Sequence, residues 1–323
     1  MGGKFTQFYP PRAAFTEKDI PSQQGKVFIV TGGNAGLGFE ISKILYAKGG
    51  TVYMASRSQT KIDAAIEEIK YIPTATGGQI KGLLLDLSDL STIKSCASKF
   101  FAQETRLDVL LNNAGISSQP VGSTSVQGHE SHMATNCLGP YLLTKLLLPI
   151  LLQTAKRTPG VRVIFTSSGI VDINTPPGGL SIAELQPGNF GKDNVRNYGA
   201  SKAGNWFLAS EFDKRARKDG IVCITQNPGN LRTKIWNTVP WAIRTVVKLW
   251  QHDPIMGAYS VLWAGLSPDV KIEDGGRYSI PWGRWHPSPR EDILASLKSK
   301  KEGGTGLSEE FWAWCEEQTK KYA

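Results

Sequence analysis

Short runs of apolar, β-branched residues alternate along the chain with longer stretches whose apolar residues recur every three or four positions. Lys26-Val27-Phe28-Ile29-Val30-Thr31 is apolar on both faces, the pattern of a strand buried inside a parallel sheet. After a glycine-rich turn, residues 39–48 place Ile41, Ile44 and Leu45 on one helical face, and Gly49-Gly50 closes that helix. The alternation then repeats, with strands at 51–55, 80–85 and 107–111 and helices at 61–71 and Leu90–Phe101. A loop over 116–126 leads into a long helix ending near Thr154, and strand Val161–Thr166 follows. The longest irregular stretch, 168–197, comes next; a loop of that size inside a domain usually serves function. A helix to about Lys218, strand Ile221–Gln226, helical stretches at 236–250 and 255–266, a short strand at 277–280 and a terminal helix from Glu309 complete the pattern.

This order predicts an α/β fold, a single doubly wound, Rossmann-type parallel sheet of about seven strands with helices on both faces. No linker or repeat divides it. The expected organisation is an N-terminal arm over 1–25 and one domain over 26–280, with a substrate lid at about 231–270. A tail over 281–323 packs on the same domain.

In such a sheet ligands bind at the carboxyl ends of the strands, and the candidate chemistry falls there. Thr31-Gly32-Gly33-Asn34-Ala35-Gly36-Leu37-Gly38 joins the first strand to the first helix. Glycines let backbone approach a pyrophosphate, and the helix N-terminus presents amide N–H groups, so Gly32, Asn34, Gly36, Leu37 and Gly38 are candidate cofactor contacts. The spacing departs from GxGxxG, and a tight turn is the plainer alternative. Arg57, at the end of the second strand, stands where an acidic residue would select NAD; an arginine there suits the 2′-phosphate of NADP. Asp86-Leu87 ends the third strand, where the carboxylate either meets an adenine or caps the next helix. Asn113, Ala114 and Gly115 end the fourth, as a nucleoside contact or a simple turn. Tyr198 and Lys202, four apart, share one helical face, and a cation near a phenol favours its ionised form.

Composition adds little to this. The net charge of +9 is scattered; Lys298, Lys300 and Lys301 form the one local cluster, in a polar tail segment, so no nucleic-acid partner is expected. A phosphorylated cofactor fits the excess. Four separated cysteines, with no ligand spacing among them or with the four histidines, predict neither disulfides nor a metal site. The first residues lack a secretory h-region, and the apolar run 142–152 is too short and interrupted for a transmembrane segment. The expected location is the cytoplasm.

TGGNAGLG, NNAG, an asparagine in the long fourth-crossover helix, Ser167-Ser168, YGASK and NPG occur in the order and spacing of one family. Over roughly residues 25–235 the chain resembles the short-chain dehydrogenase/reductases, in their NADP-preferring group, and among them the retinol-dehydrogenase-like fungal members. The resemblance implies that Tyr198 exchanges a proton with the substrate oxygen. Lys202 holds the nicotinamide ribose and lowers the tyrosine pKa, and Ser168 hydrogen-bonds the substrate oxygen, with Ser167 the rival. It implies that Asn136 kinks its helix and holds a water behind Lys202, and that Pro228, Gly229, Leu231 and Thr233 meet the cofactor. Lys145 is expected near the cofactor as well.

The expected activity is therefore that of an NADP(H)-dependent carbonyl reductase or alcohol dehydrogenase of secondary metabolism, acting on a lipophilic or polyketide-like ketone or aldehyde. The alternative is an NADPH-binding protein of the same fold with an isomerase, cyclase or scaffold role. The complete Asn/Ser/Tyr/Lys set argues against a non-catalytic descendant. Trp236, Trp241 and Trp250 follow the sixth strand and fit either a bulky apolar substrate or core packing. Trp312 and Trp314 fit packing or subunit contacts, a homodimer among them.

Overall fold

Strand β1, Val27–Thr31, is buried along its whole length and lies between β2, Thr51–Ser56, and β4, Val109–Asn112. The computed structural model describes residues 6–74, 77–232 and 250–323. With β3 (Gln79–Leu84), β5 (Val161–Thr166), β6 (Ile221–Gln226), β7 (Tyr278–Ile280) and β8 (Arg284–Trp285), the sheet has eight strands in the order 3-2-1-4-5-6-7-8. Pairing is parallel throughout except for β7 against β8. The expected count of about seven misses only β8, whose two residues are too short to show a period.

Helices cover both faces. On one side lie α1 (Gly36–Ala47), α2 (Gln59–Lys70) and α6 (Pro254–Leu266), whose buried residues join Phe28, Val30, Val52 and Met54. On the other lie α3 (Leu90–Phe101), α4 (Ser131–Ala155) and α5 (Asn194–Ala216), packed on Ile29, Tyr53 and Phe165. The caps follow the sequence: Ser58, Asp89 and Asp193 accept from first-turn amides of α2, α3 and α5. The cap of α3 is thus Asp89, whereas Asp86 accepts from the amide and hydroxyl of Ser88. At the end of α1, Gly49 and Gly50 donate to Tyr46 and Leu45 in a Schellman pair, with Gly49 at φ +90°.

α4 is long and apolar enough, by length and composition, to cross a bilayer, but 67% of its most apolar window is buried inside the protein, as befits a core helix. The tail adds α7 (Glu291–Leu297) and α8 (Leu307–Thr319). Trp312 of α8 packs edge-on against Tyr141 of α4 and Phe212 of α5, and Ser308 donates to the buried carboxylate of Glu211 at 2.8 Å. Trp314 stacks on Phe311. The N-terminal arm lies on the opposite layer, with Ala13, Phe15 and Ile20 buried in the core beneath α1 and α6. The segment expected as a lid divides: Pro254–Leu266 packs against α1 and the sheet, while 233–249, with Trp236 and Trp241, lies outside the described residues.

Candidate active site

Strand order reverses between β1 and β4, and the crevice outside their carboxyl ends is where a ligand fits in such a sheet. The turn after β1 forms one wall. Gly32 and Gly36 have φ of +66° and +52°, and a Cβ on Gly38 would lie 2.2 Å from the Gly32 carbonyl oxygen. Only glycine fits there. The N-terminus of α1 begins after Ala35, with no side-chain cap and no acidic residue in its first turn, unlike α2, α3 and α5, which are capped. Its amides are therefore open to an anion. Asn113 locks this turn to the one after β4: its side chain donates to the Thr31 carbonyl at 2.9 Å, and the Thr31 hydroxyl accepts from the amides of Asn113 and Ala114, each at 2.9 Å. Arg57 is exposed at the end of β2, beside the Ser58 cap of α2.

The second wall is built on α4 and α5. Residues 134–138 of α4 form a π turn with Asn136 inside it. The Asn136 side chain accepts from the Ile116 amide at 2.8 Å and donates to the Ile116 carbonyl at 3.0 Å and to the Ser201 hydroxyl at 2.9 Å. It ties the loop after β4 to the tyrosine helix. The wider π turn lies where the kink is expected, and both amide hydrogens of Asn136 are committed to protein acceptors.

Lys202 is buried, and its Nζ donates to the Thr166 carbonyl at 3.0 Å. Its ammonium lies 5.7 Å from the centre of the Tyr198 ring, and a Cβ on Gly115 would come within 3.0 Å of it. Burial pulls the Lys202 pKa down to about 8 and pushes that of Tyr198 up to about 12, while a hydrogen bond with Ser168 opposes the tyrosine shift. The expected depression of the tyrosine pKa by the lysine is not what these surroundings give: desolvation raises it, and Ser168 is the group that opposes the rise. Of the two serines, Ser167 is buried and donates to the Lys202 carbonyl at 2.8 Å, which leaves Ser168 as the one at the tyrosine.

These residues, drawn from strand ends and from α1, α4 and α5, set the Tyr198 phenol, Ser168 and Lys202 beside the glycine turn. A family model described as short chain dehydrogenase matches residues 26–178. A short-chain dehydrogenase/reductase of Pestalotiopsis fici is 45% identical over 323 residues, covering 98% of this chain and 97% of its own. The chain belongs to the short-chain dehydrogenase/reductase family. Another member, from Phomopsis amygdali, is 43% identical over 325 residues, 98% of this chain and 96% of its own. A solved structure of a putative uncharacterized protein from Mycobacterium paratuberculosis superposes with a TM-score of 0.69 at 27% identity, covering 95% of this chain and 97% of that one. Membership makes this chain an oxidoreductase by family, one that works with a nicotinamide cofactor and a small-molecule substrate.

Not every expected residue of this dehydrogenase/reductase converges. Pro228 and Gly229, with Gly229 at φ +85°, turn at the end of β6, and Leu231 is buried next to them. Thr233 lies outside the described residues. Leu87 is buried, its carbonyl 2.5 Å from where a Cβ on Gly139 of α4 would sit. Lys145 is not brought to the cradle. α4 runs away from the strand ends, so nine residues after Asn136, at about 1.5 Å each, Lys145 is well down the helix and pairs with Glu316 of α8 at 2.7 Å.

Three contributors were not among the candidate site residues. Thr31 clamps the two turns, the Tyr278 hydroxyl donates to the Ser168 carbonyl at 2.8 Å, and the buried His132 ring lies 6.0 Å from that of Tyr198. His132 bonds Glu130 at 2.7 Å, and among the described residues no cluster could hold a metal ion. Only Thr31 had a usable signal, its place directly before the glycine turn.

Proposed function

We propose that the chain is an NADP(H)-dependent carbonyl reductase acting on a lipophilic or polyketide-like ketone or aldehyde in cytoplasmic secondary metabolism. The observation that carries this is Tyr198, a half-buried phenol bonded to Ser168, with the Lys202 ammonium 5.7 Å from its ring. The residues fit the cofactor: Gly32, Gly36 and Gly38 leave room for a pyrophosphate on the uncapped α1, and the exposed Arg57 is free of competing carboxylates on its own turn. Asn113, Ala114 and Gly115 would pass along the nucleoside, and Pro228 and Gly229 would border the nicotinamide. A nicotinamide bound there supplies or removes the hydride.

The protein's own part is proton chemistry and alignment. With its pKa pushed up to about 12, Tyr198 is protonated at neutral pH and can give its proton to a carbonyl oxygen, which favours the reductive direction. The Ser168 hydroxyl orients that oxygen and stabilises developing negative charge. Lys202, at about 8, holds an ammonium for most of the population at pH 7 and supports the phenolate left behind. The lipophilic substrate class rests on the tryptophans after β6, of which Trp250 is exposed. Tyr198→Phe tests the reading: NADPH oxidation with a panel of apolar aldehydes and ketones should fall by about 10³-fold, while NADPH binding stays within about threefold. A variant that still turns over at the parent rate would defeat it.

A further inference from the structure

A chain of buried hydrogen bonds runs from the turn after β6 to the loop after β5 through a residue of the N-terminal arm. The Gly229 amide donates to Asn227 Oδ1 at 3.0 Å, and Asn227 Nδ2 donates to Gln7 Oε1 at 2.8 Å. Gln7 Nε2 then donates to Asp172 Oδ2 at 2.8 Å, an oxygen that His286 Nε2 also approaches at 2.8 Å. The Ser288 amide donates to His286 Nδ1 at 3.2 Å, so Nε2 carries the ring hydrogen and is the donor to Asp172. Gln7, Asn227, Asp172 and His286 are each less than a tenth exposed. The short helical turn Gly169–Asp172 begins directly after Ser168. A Cβ on Gly169 would come within 3.2 Å of Asn227 Nδ2 and 3.5 Å of Gln7 Oε1. Arg284 holds the arm itself by donating to the Thr6 carbonyl at 3.0 Å.

We propose that Gln7 is a positioning residue that couples the cofactor-side turn, Asn227–Gly229, to the serine loop, Ser168–Asp172. Its amide is suited to this because one end accepts and the other donates, so it can join the Asn227 amide to the Asp172 carboxylate where an apolar or singly functional side chain cannot. The inference rests on the proposed role of Ser168 for its catalytic meaning, but the coupling can be measured without turnover.

Amide hydrogen exchange on the full chain provides that measurement. Gln7→Leu should speed exchange about tenfold in both 168–173 and 227–230 while leaving β1, β4 and β5 unchanged. In the double variant Gln7→Glu with Asp172→Asn the donors are reversed. The carboxylate introduced on the arm accepts from Asn227 and from the amide introduced on the serine loop, and that amide in turn accepts from His286. The double variant should restore slow exchange in both segments. With NADPH and 4-nitrobenzaldehyde as probe, kcat should fall about tenfold in Gln7→Leu and return in the double variant. Should Gln7→Leu fail to fold, Gln7→Asn, one methylene too short to reach both partners, is read in the same way. Faster exchange in one segment alone, no change in either, or a double variant no better than Gln7→Leu would overturn the coupling. Absence of any aldehyde reduction by the parent would instead count against the proposed activity and leave the exchange result to decide the coupling.

Discussion

Replacing Lys202 by methionine should make the cofactor-free protein more stable while removing its activity. The side chain is buried and burial holds its pKa at about 8, against about 10.4 in an unfolded chain. Keeping that cation in the fold at pH 7 therefore costs about 3 kcal/mol. Methionine keeps the unbranched stem and removes the charge. The Thr166 carbonyl loses the lysine donor but retains Asn205 Nδ2 at 3.0 Å, so the lost hydrogen bond is worth about 1 kcal/mol. The net expectation is a gain of about 2 kcal/mol at pH 7, with a Tm higher by a few degrees. The sign of the pH dependence follows from the depressed pKa. The folded chain binds this proton less tightly than the unfolded chain, so the cost is full below about pH 8 and fades as pH rises toward 10.4. The buried thiols Cys96, Cys137, Cys223 and Cys315, whose pKa values burial raises, act the other way. The unfolded chain releases their protons first, and both proteins lose absolute stability above about pH 8.5. Because the thiols are shared, the difference between variant and parent reads the lysine together with its coupling to Cys137. Urea melts at pH 7, 8, 9 and 10 should show a gap that is largest at pH 7 and nearly closed at pH 10. A variant less stable than the parent at pH 7, or a gap that does not shrink, would refute the reasoning.

Other positions separate the same structure into independent tests. Arg57→Asp should shift the ratio of kcat/KM for NADPH over NADH toward NADH by at least about tenfold, as read by steady-state kinetics with both cofactors. Gly38→Ala forces a methyl to 2.2 Å from the Gly32 carbonyl; it should cost about 1–3 kcal/mol in denaturant melts and abolish detectable NADPH binding by fluorescence titration. Lys145→Ala removes a partly exposed pair with Glu316 and a cation–π contact with Tyr141 at 5.8 Å, so stability should change by about 1 kcal/mol at most and NADPH affinity should not change.

What could be read before the fold was seen divides along physical lines. Val161–Thr166 and Ile221–Gln226 have the extents expected because every residue in them is buried, Arg162 and Gln226 included, and a mostly apolar, β-branched run marks a central strand. β4 begins at Val109, two residues later than its apolar run, because Leu107 donates its amide to the Thr154 hydroxyl instead of to a neighbouring strand. Local glycine chemistry announced the cradle, and helical spacing placed Tyr198 and Lys202 together. Spacing did not reveal the direction of α4, which carries Lys145 away. It did not reveal Gln7, Tyr278 or His286 either, since each reaches the serine loop from far along the chain and lies in no motif. Nor did it reveal the burial of Lys202 or the desolvation that pushes the tyrosine's pKa up.

The contact between Gln7 and His286 joins residues 279 positions apart, which gives the site a birth order. If the chain between them were loose, closing that loop would cost about 5 kcal/mol in entropy. The cost is small only after β1 to β6 have already drawn the two ends to one edge of the sheet. On a ribosome the glycine cradle and the tyrosine helix are therefore complete while the serine loop still lacks its last partner, and Glu211 waits in the same interval for Ser308. A nascent chain cut short before β8 would have the glycine turn and the tyrosine helix but a serine loop without its His286 partner. The serine loop is settled only once β8 has been made.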